Sequence, residues 1–269
     1  MNNHVPVILS NVPSPLQPED ARIAHASGEL AKYLAERFRH EHVPTESSSM
    51  CLDDWLHLTN RPYIKDWHVN QTSQGNFFNC PSLFTDDWLN DWLVSTNNTD
   101  FRFLYWGDAG SGTAIHEDVL KTFSWSLNLN GRKLWKFYFD ESVIEVIQTV
   151  GQAILVPPGL RHDVTNLDKD TISVNHNFFN SWSIHLTIDY LIEERMLLAK
   201  ELAAFGAKVE YDLEMKSDNL ELMMLGSCSL NFRRLSQCLL FNLEISSRAE
   251  QASFWLSRIR NNPELARLL

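Results

Sequence analysis

The sequence has few cysteines, and their spacing excludes several kinds of site. There are four in 269 residues, at positions 51, 80, 228 and 238. No two form a Cys-x-x-Cys pair, which argues against a zinc knuckle and against a thioredoxin-type redox motif. We therefore expect free thiols in a reducing, intracellular compartment. The cytoplasm is the expected location in preference to the nucleus.

Long apolar runs and an excess of basic charge are also missing. No stretch approaches the length of a membrane span, and the N-terminal MNNHVPVILSNVPSP lacks the basic and apolar regions of a signal peptide. The 23 Lys and Arg residues are outnumbered by 34 Asp and Glu, giving a net charge of −11. This balance argues against direct binding to nucleic acid, and we expect no membrane association.

Three zones follow one another along the chain, which is long enough to bury a full core. Residues 1–100 are predicted to be a mixed α/β segment that packs on a barrel. Residues 101–180 contain short segments rich in aromatic and β-branched residues, broken by Gly, Asn and Asp, as is typical of a closed barrel or jelly roll. Residues 181–269 form a helical region. The predicted fold class is a mainly β core with flanking helices.

Apolar spacing predicts the helices. One covers Asp20 to Phe38, a second begins near Ile184 and ends at Gly206, and a third runs from about Gln237 to Arg260, before Asn262-Pro263. The two C-terminal helices are predicted to pack on the core or to form a homodimer interface.

Two of the predicted strands carry uncharged polar side chains on one face and apolar side chains on the other. A solvated sheet face is one explanation, but such a face usually collects charge. Small hydrogen-bonding groups suit a barrel interior that holds a polar ligand, so we favour an internal pocket. The polar positions are Thr122, Ser124, Ser126 and Asn128 in TFSWSLNLN and Thr171, Ser173, Asn175 and Asn177 in TISVNHNFF.

His116 and Asp118 could form half of a metal site. Composition alone gives about 1.3 His-x-acid matches in a chain with 10 His, so the motif depends on its context. On one strand the two side chains would share a face. His162, which follows the turn sequence Val156-Pro-Pro-Gly159, is the best third ligand, and two His with one carboxylate form the triad of non-haem Fe(II) oxygenases. Lys133, one hairpin later, suits a carboxylate at the far end of a pocket, although a lone strand lysine is usually solvated.

The spacing of these residues, together with GQAILVPPGLRHDVTNLDKDTISVNHNFF, resembles the JmjC family of Fe(II)- and 2-oxoglutarate-dependent oxygenases over about residues 62–180. The matching positions are His116, Asp118, Trp125, Gly131, Lys133 and Trp135. The resemblance implies a double-stranded β-helix, a jelly-roll of the cupin type. It implies that His116, Asp118 and His162 hold Fe(II) and that dioxygen is used. It further implies that 2-oxoglutarate is bound by Lys133, with help from Thr113, Ser126, Asn128 and Asn175.

Three details differ from a simple match to the family. Strict alternation puts Thr113 on the face opposite His116, so a β-bulge is expected between them. The stretch HVPTESSSMCLDDWL is short and contains no tyrosine to match the pocket tyrosine usual upstream of the barrel. Residues 140–151 are predicted to be a short link.

The resemblance implies a protein hydroxylase, in a branch understood to hydroxylate a lysine of a translation termination factor. The alternatives are an N-methyl-lysine (histone) demethylase of the same fold and a catalytically weak JmjC binding module. The same iron site serves hydroxylation and demethylation, so the metal ligands do not discriminate between them. The expected partner is a protein substrate.

Overall fold

The structure is a computed structural model that describes residues 5–13, 15–16, 29–72, 77–206, 213–262 and 265–266, without the side chains of 205, 206 and 213–217. The chain divides into two compact units. The first comprises Met1–Asp86, Asp100–Asp118 and Phe123–Asn177, and the second Asp87–Thr99, Val119–Thr122 and Phe178–Leu269.

The first unit is built mainly from β-strands. They are β1 Val7–Leu9, β2 His42–Pro44, β3 Ser49–Cys51, β4 Ile64–Trp67, β5 Arg102–Gly107, β6 Gly112–His116, β7 Phe123–Asn130, β8 Lys133–Phe139, β9 Ser142–Gln148, β10 Ala153–Val156, β11 Arg161–Asn166 and β12 Thr171–Phe178. This unit also holds helices Glu29–Arg37 and Leu52–Leu56 and 3-10 turns Val69–Gln71 and Ser82–Phe84. Of the predicted helix from Asp20 to Phe38, positions 20–28 lie outside the described residues.

Two antiparallel sheets form the double-stranded β-helix that the sequence predicted. The larger has the order β1-β10-β7-β12-β5-β4 and the smaller the order β6-β11-β8-β9. Lys133 of the smaller sheet donates a hydrogen bond to Ser173 of the larger, at 2.5 Å, so the inner faces meet. β1 and β4, from the N-terminal hundred residues, extend the larger sheet by pairing with β10 and β5.

Alternation along β7 divides its side chains as predicted. Trp125 and Leu127 are buried on the outer face, where the Trp125 ring stacks on Phe84 with centroids 5.2 Å apart. Ser124 and Ser126 project into the interior of the barrel. The uncharged polar face is therefore internal, and the alternative of a solvated sheet face is wrong.

The predicted link at 140–151 is wrong, because Ser142–Gln148 is a full strand that pairs with β8. Its side chains are mostly exposed, and it lies at the edge of the smaller sheet. The Val and Ile residues of SVIEVIQ are typical of a strand, and Val146 packs against a core cluster that includes Trp135 and Phe137.

The second unit is helical. Its helices are Trp88–Ser95, Ile184–Gly206, Leu213–Cys228, Phe232–Leu243 and Ala249–Arg260, with a 3-10 turn at Val119–Lys121. The single helix predicted over 237–260 is wrong, since residues 244–248 separate two helices. All four cysteines are free thiols, as predicted. Within the described ranges, no helix combines the length and the apolar composition needed to cross a bilayer.

Candidate metal centre

Three side chains predicted from separate parts of the sequence meet at one point of the barrel. His116 is the last residue of β6 and lies directly opposite His162 of β11, with ring centroids 4.3 Å apart. Asp118 does not share the strand of His116, as the sequence suggested, but follows it in the connecting segment. One potential ligand atom from each residue lies within 4.8 Å of the others, which is a distance that allows one ion to contact all three.

A tight turn determines the position of His162. Gly159 has a φ of +74°, a left-handed conformation that glycine adopts without strain, and the Leu160 amide donates to the Pro157 carbonyl at 3.3 Å. β11 then begins at Arg161, so that His162 points into the barrel and is almost fully buried.

The backbone sets the tautomer of both histidines. Nδ1 of His116 lies 2.8 Å from the Ala114 carbonyl, and Nδ1 of His162 lies 2.9 Å from the Leu160 carbonyl. Because a carbonyl can only accept a hydrogen bond, Nδ1 carries the proton in each ring and the lone pair is on Nε2. Burial lowers the pKa of His162, which favours the neutral, ligating form. Both rings are thus prepared to bind a metal through Nε2.

Two hydrogen bonds fix the carboxylate of Asp118. Ser124 Oγ donates to Oδ2 at 2.7 Å, and Asn177 Nδ2 donates to Oδ1 at 3.0 Å. Two imidazole nitrogens and one oriented carboxylate fit a divalent iron and leave coordination positions for a chelating co-substrate and for dioxygen. The residues present therefore fit the metal that the sequence implied.

Removing the amide that holds Asp118 should weaken this site. We expect Asn177→Ala to lower the affinity for Mn²⁺ about 10- to 100-fold, because the carboxylate loses an orienting donor. Isothermal titration of the metal-free protein with Mn²⁺ measures this. Asn261→Ala is the matched control, since this exposed amide only bonds Ser257. Equal Mn²⁺ affinity in wild type and Asn177→Ala would show that Asn177 does not support the site.

A polar cavity extends from the three ligands into the barrel. Both sheets contribute to its lining, which consists of Tyr63, Lys65, Tyr105, Thr113, His116, Asp118, Ser124, Ser126, Lys133, Trp135, His162, Val164, Asn175 and Asn177. The hydroxyls of Ser126 and Ser173 both donate to the side-chain Oδ1 of Asn175, at 3.0 and 2.8 Å. These bonds hold the polar side chains in fixed positions on one wall.

Lys133 lies deep in this cavity, where the residue is 1% exposed and its Nζ lies 5.7 Å from the centre of the Tyr105 ring. Ser173 is its hydrogen-bond acceptor, and among the described residues no carboxylate lies within ion-pair distance. Burial lowers its pKa to about 7. A buried cation without a counter-ion indicates a site for an anionic ligand.

The bulge expected for Thr113 is present. His162 pairs with His116 and Val164 with Thr113, so β6 has one residue more than β11 between the two pairs. The extra residue returns Thr113 to the face of His116, where it lines the cavity.

Asn128 is placed differently from the other predicted co-substrate residues. Its side chain is fully buried, but it donates to the Gly131 carbonyl in the β7–β8 turn and is not among the residues that line the cavity. The amide thus contributes to the turn through Nδ2, and its role towards the co-substrate stays a prediction.

The sequence analysis found no tyrosine to match the usual pocket tyrosine, and this was wrong, because two tyrosines line the cavity. Tyr63 precedes β4, Tyr105 lies on β5, and their rings are 5.8 Å apart. Lys65 is a further lining residue that the sequence analysis missed. Alternation in FRFLYWG could have placed Tyr105 on the inner face together with Phe103, but the stretch shows no polar pattern of its own.

The lowered pKa of Lys133 makes ligand binding depend on pH. A carboxylate binds the protonated ammonium, so the affinity should be constant below pH 7 and should fall up to about tenfold per pH unit above it. The measurement is the Kd of N-oxalylglycine, an unreactive 2-oxoglutarate analogue, on the Mn²⁺-loaded protein from pH 6 to 9. Lys133→Arg, whose cation does not titrate there, should show a weaker but flat profile. The same slope in both proteins would assign the effect to another group.

Comparison with known proteins gives several relatives over about half of the chain. It is 33% identical to the 2-oxoglutarate and iron-dependent oxygenase JMJD4 of Danio rerio, over 52% of this chain and 41% of that protein. It is 34% identical to the JMJD4 homologue of Drosophila melanogaster, over 52% of this chain and 39% of that protein. It is 33% identical to the arginine-specific demethylase JMJ20 of Arabidopsis thaliana, over 48% and 38%.

No protein-family model matches the chain. The chain spans about two fifths of the length of the curated relatives that it matches. Their names, the two-sheet barrel and the clustered His116, Asp118 and His162 agree with one another. Over about half of its length, the chain is therefore similar to proteins named iron- and 2-oxoglutarate-dependent oxygenases.

Proposed function

We propose that this protein is an Fe(II)- and 2-oxoglutarate-dependent protein hydroxylase. The observation that carries the proposal is the pairing of two sites in one cavity. One is the triad of His116, Asp118 and His162, and the other is the buried Lys133, which has no counter-ion in the part of the chain that the structure describes. When bound, iron supplies the oxidative chemistry that couples decarboxylation of 2-oxoglutarate by dioxygen to oxidation of a substrate C–H bond.

The residues of the chain position the reactants. The two Nε2 atoms and the Asp118 carboxylate hold the metal, while Lys133 binds the distal carboxylate of 2-oxoglutarate and so orients its other end towards the metal. The hydrogen-bonded wall formed by Ser126 and Asn175 lines the space between these two ends. No side chain has to act as a general base, because the co-substrate and the metal carry the chemistry.

The proposed substrate is a lysine of a translation termination factor, and the proposed location is therefore the cytoplasm. Support comes from the resemblance of SWSLNLNGRKLW and TISVNHNF to the branch understood to carry out this reaction, and from the relatives named JMJD4. A homodimer through the C-terminal helices is proposed on the apolar pattern of residues 181–269 alone.

Demethylation is the second candidate, and the Arabidopsis thaliana relative named an arginine-specific demethylase favours it. Hydroxylation of an N-methyl carbon gives a product that releases formaldehyde, whereas hydroxylation of a chain carbon gives a stable alcohol. The candidates therefore differ in the bond presented to the metal and not in the metal ligands. A non-catalytic binding module is disfavoured by the preparation of both histidine rings and Asp118 for a metal.

Mass spectrometry separates the candidates. The protein is incubated with Fe(II), 2-oxoglutarate, air and either a termination factor or methylated histone peptides. We expect the factor to gain one oxygen atom on lysine, with one succinate formed per event. Loss of a methyl group and release of formaldehyde would favour demethylation. Succinate formation equal in wild type and His116→Ala, with every substrate unchanged, would contradict both enzymatic proposals.

A further inference from the structure

Strand β4 contains a β-bulge with two consecutive charged residues, of which the first lines the cavity. Ile64 pairs with Trp106 and Trp67 with Leu104, so β4 has one residue more than β5 between these pairs. Ile64 and Trp67 are buried on the outer face together with their partners. The irregular segment between them consists of Lys65 and Asp66, opposite Tyr105. Bulges next to active sites commonly re-aim side chains in this way.

Asp66 is engaged by a neighbouring tyrosine. Its φ of +58° is a left-handed conformation, which an aspartate adopts at a modest cost. This conformation brings its carboxylate to the Tyr105 hydroxyl, which donates to it at 2.5 Å. The Tyr105 ring lines the cavity next to Tyr63. Asp66 therefore fixes Tyr105 and forms no ion pair with Lys65.

Lys65 is the second cation of the cavity. It lines the cavity and is partly exposed, whereas Lys133 is buried. In the part of the chain that the structure describes, the Lys65 ammonium has no hydrogen bond and no ion pair. A partly exposed lysine with neither partner, lining a polar cavity, can accept an anionic group from outside.

Charge balance indicates where that anionic group comes from. If the proposed function is correct, the two charges of the metal and that of Lys133 are matched by Asp118 and by the two carboxylates of 2-oxoglutarate. Both carboxylates of the co-substrate are then engaged, one at the metal and one at Lys133. Among the charged residues that line the cavity, Lys65 then keeps an unmatched positive charge, which an acidic residue of the protein substrate can match.

We propose that Lys65 is a specificity-determining residue that binds an aspartate or glutamate close to the oxidised residue of the protein substrate. This inference rests on the proposed function and adds the chemical class of sequence that the enzyme recognises. Because the pair would be partly exposed, we expect a preference for acidic over neutral neighbours of about three- to tenfold in affinity. A basic residue at the same position would be disfavoured.

A charge-reversal experiment tests the proposal by binding and not by turnover. The protein is loaded with Mn²⁺ and N-oxalylglycine and immobilised. It is then equilibrated with a position-scanning peptide library that has a central lysine. Wild type, Lys65→Gln, Lys65→Glu and the control Lys200→Glu, an exposed lysine on helix Ile184–Gly206, are compared. Bound peptides are quantified by mass spectrometry, and N-oxalylglycine affinity is measured on each protein.

We expect wild type and Lys200→Glu to enrich Asp and Glu within two positions of the central lysine. Lys65→Gln should lose this preference, and Lys65→Glu should select Lys and Arg at the same position. N-oxalylglycine affinity should stay within about twofold in all four proteins. An unchanged acidic preference in Lys65→Glu, or no enrichment by wild type, would overturn the proposal while leaving the hydroxylase assignment intact. A tenfold loss of N-oxalylglycine affinity in Lys65→Gln would assign Lys65 to the co-substrate. Failure of wild type to bind Mn²⁺ and N-oxalylglycine would overturn the proposed function as well.

Discussion

Replacing Asp118 with alanine should abolish metal binding and turnover of 2-oxoglutarate. Asp118 supplies the only carboxylate among the three clustered ligands, and Ser124 and Asn177 already orient it. Since removing an outer partner of a ligand costs 10- to 100-fold, loss of the ligand itself should weaken Mn²⁺ binding by more than about 100-fold. Titration with Mn²⁺ measures the affinity, and succinate formation measures turnover.

The adjacent Glu117 provides the control. It is exposed and does not line the cavity, so Glu117→Ala removes an equal charge one residue away without touching the site. We expect its Mn²⁺ affinity and its rate of succinate formation to match those of wild type. If Glu117→Ala lost metal while Asp118→Ala kept it, the carboxylate ligand would have been assigned to the wrong residue.

Replacing Lys133 with methionine should make the empty protein more stable and unable to bind 2-oxoglutarate. The side chain is buried with no counter-ion among the described residues, and burial lowers the pKa of its ammonium from 10.5 to about 7. The shift implies a folding cost of about 2–4 kcal/mol near pH 7.5. Methionine fills a similar volume without this cost. It also removes the cation for the distal carboxylate, which should lower N-oxalylglycine affinity by about 100-fold or more.

The dependence of stability on pH identifies the cause of this stabilisation. A lysine with a depressed pKa in the folded state binds fewer protons there than in the unfolded state. The destabilisation by the buried ammonium is therefore absent above pH 10.5 and reaches its full size as the pH falls to about 7. The excess stability of Lys133→Met should therefore be largest near pH 7 and should shrink at about 1.4 kcal/mol per pH unit on the way to 10.5. Urea unfolding at pH 7.5 and 9.5 measures it. An excess independent of pH would point to better packing and not to the buried charge.

The parts of the site that were predictable from sequence depend on local patterns. Alternation along TFSWSLNLN and TISVNHNFF fixed the inner polar faces, because a strand presents every second residue to the same side. The Pro-Pro-Gly turn marked His162, and Lys133 followed from its place in the next strand. Alternation alone does not place Asn128, because a buried polar residue facing inward can serve a turn as well as a ligand.

The parts that were missed depend on contacts between distant segments. Lys65 and Tyr105 reach the cavity because β4 pairs with β5 through a bulge, and no local pattern reveals the register of two strands about forty residues apart. The helix predicted over 237–260 is interrupted for a similar reason. Arg248 donates to Asn242 and to Asp91 of a distant helix, and these contacts favour a break that apolar spacing alone does not show.

Each histidine of the metal site is aligned by the main-chain carbonyl two residues before it, Ala114 for His116 and Leu160 for His162. A carbonyl is present whatever the side chain at that position. Mutational drift at residues 114 and 160 can therefore proceed without rotating the ligands, provided that the strand and the turn persist. The orientation of the two histidine rings therefore depends on the backbone and not on the neighbouring side chains. Related chains can change the cavity wall and the substrate while keeping the same metal chemistry.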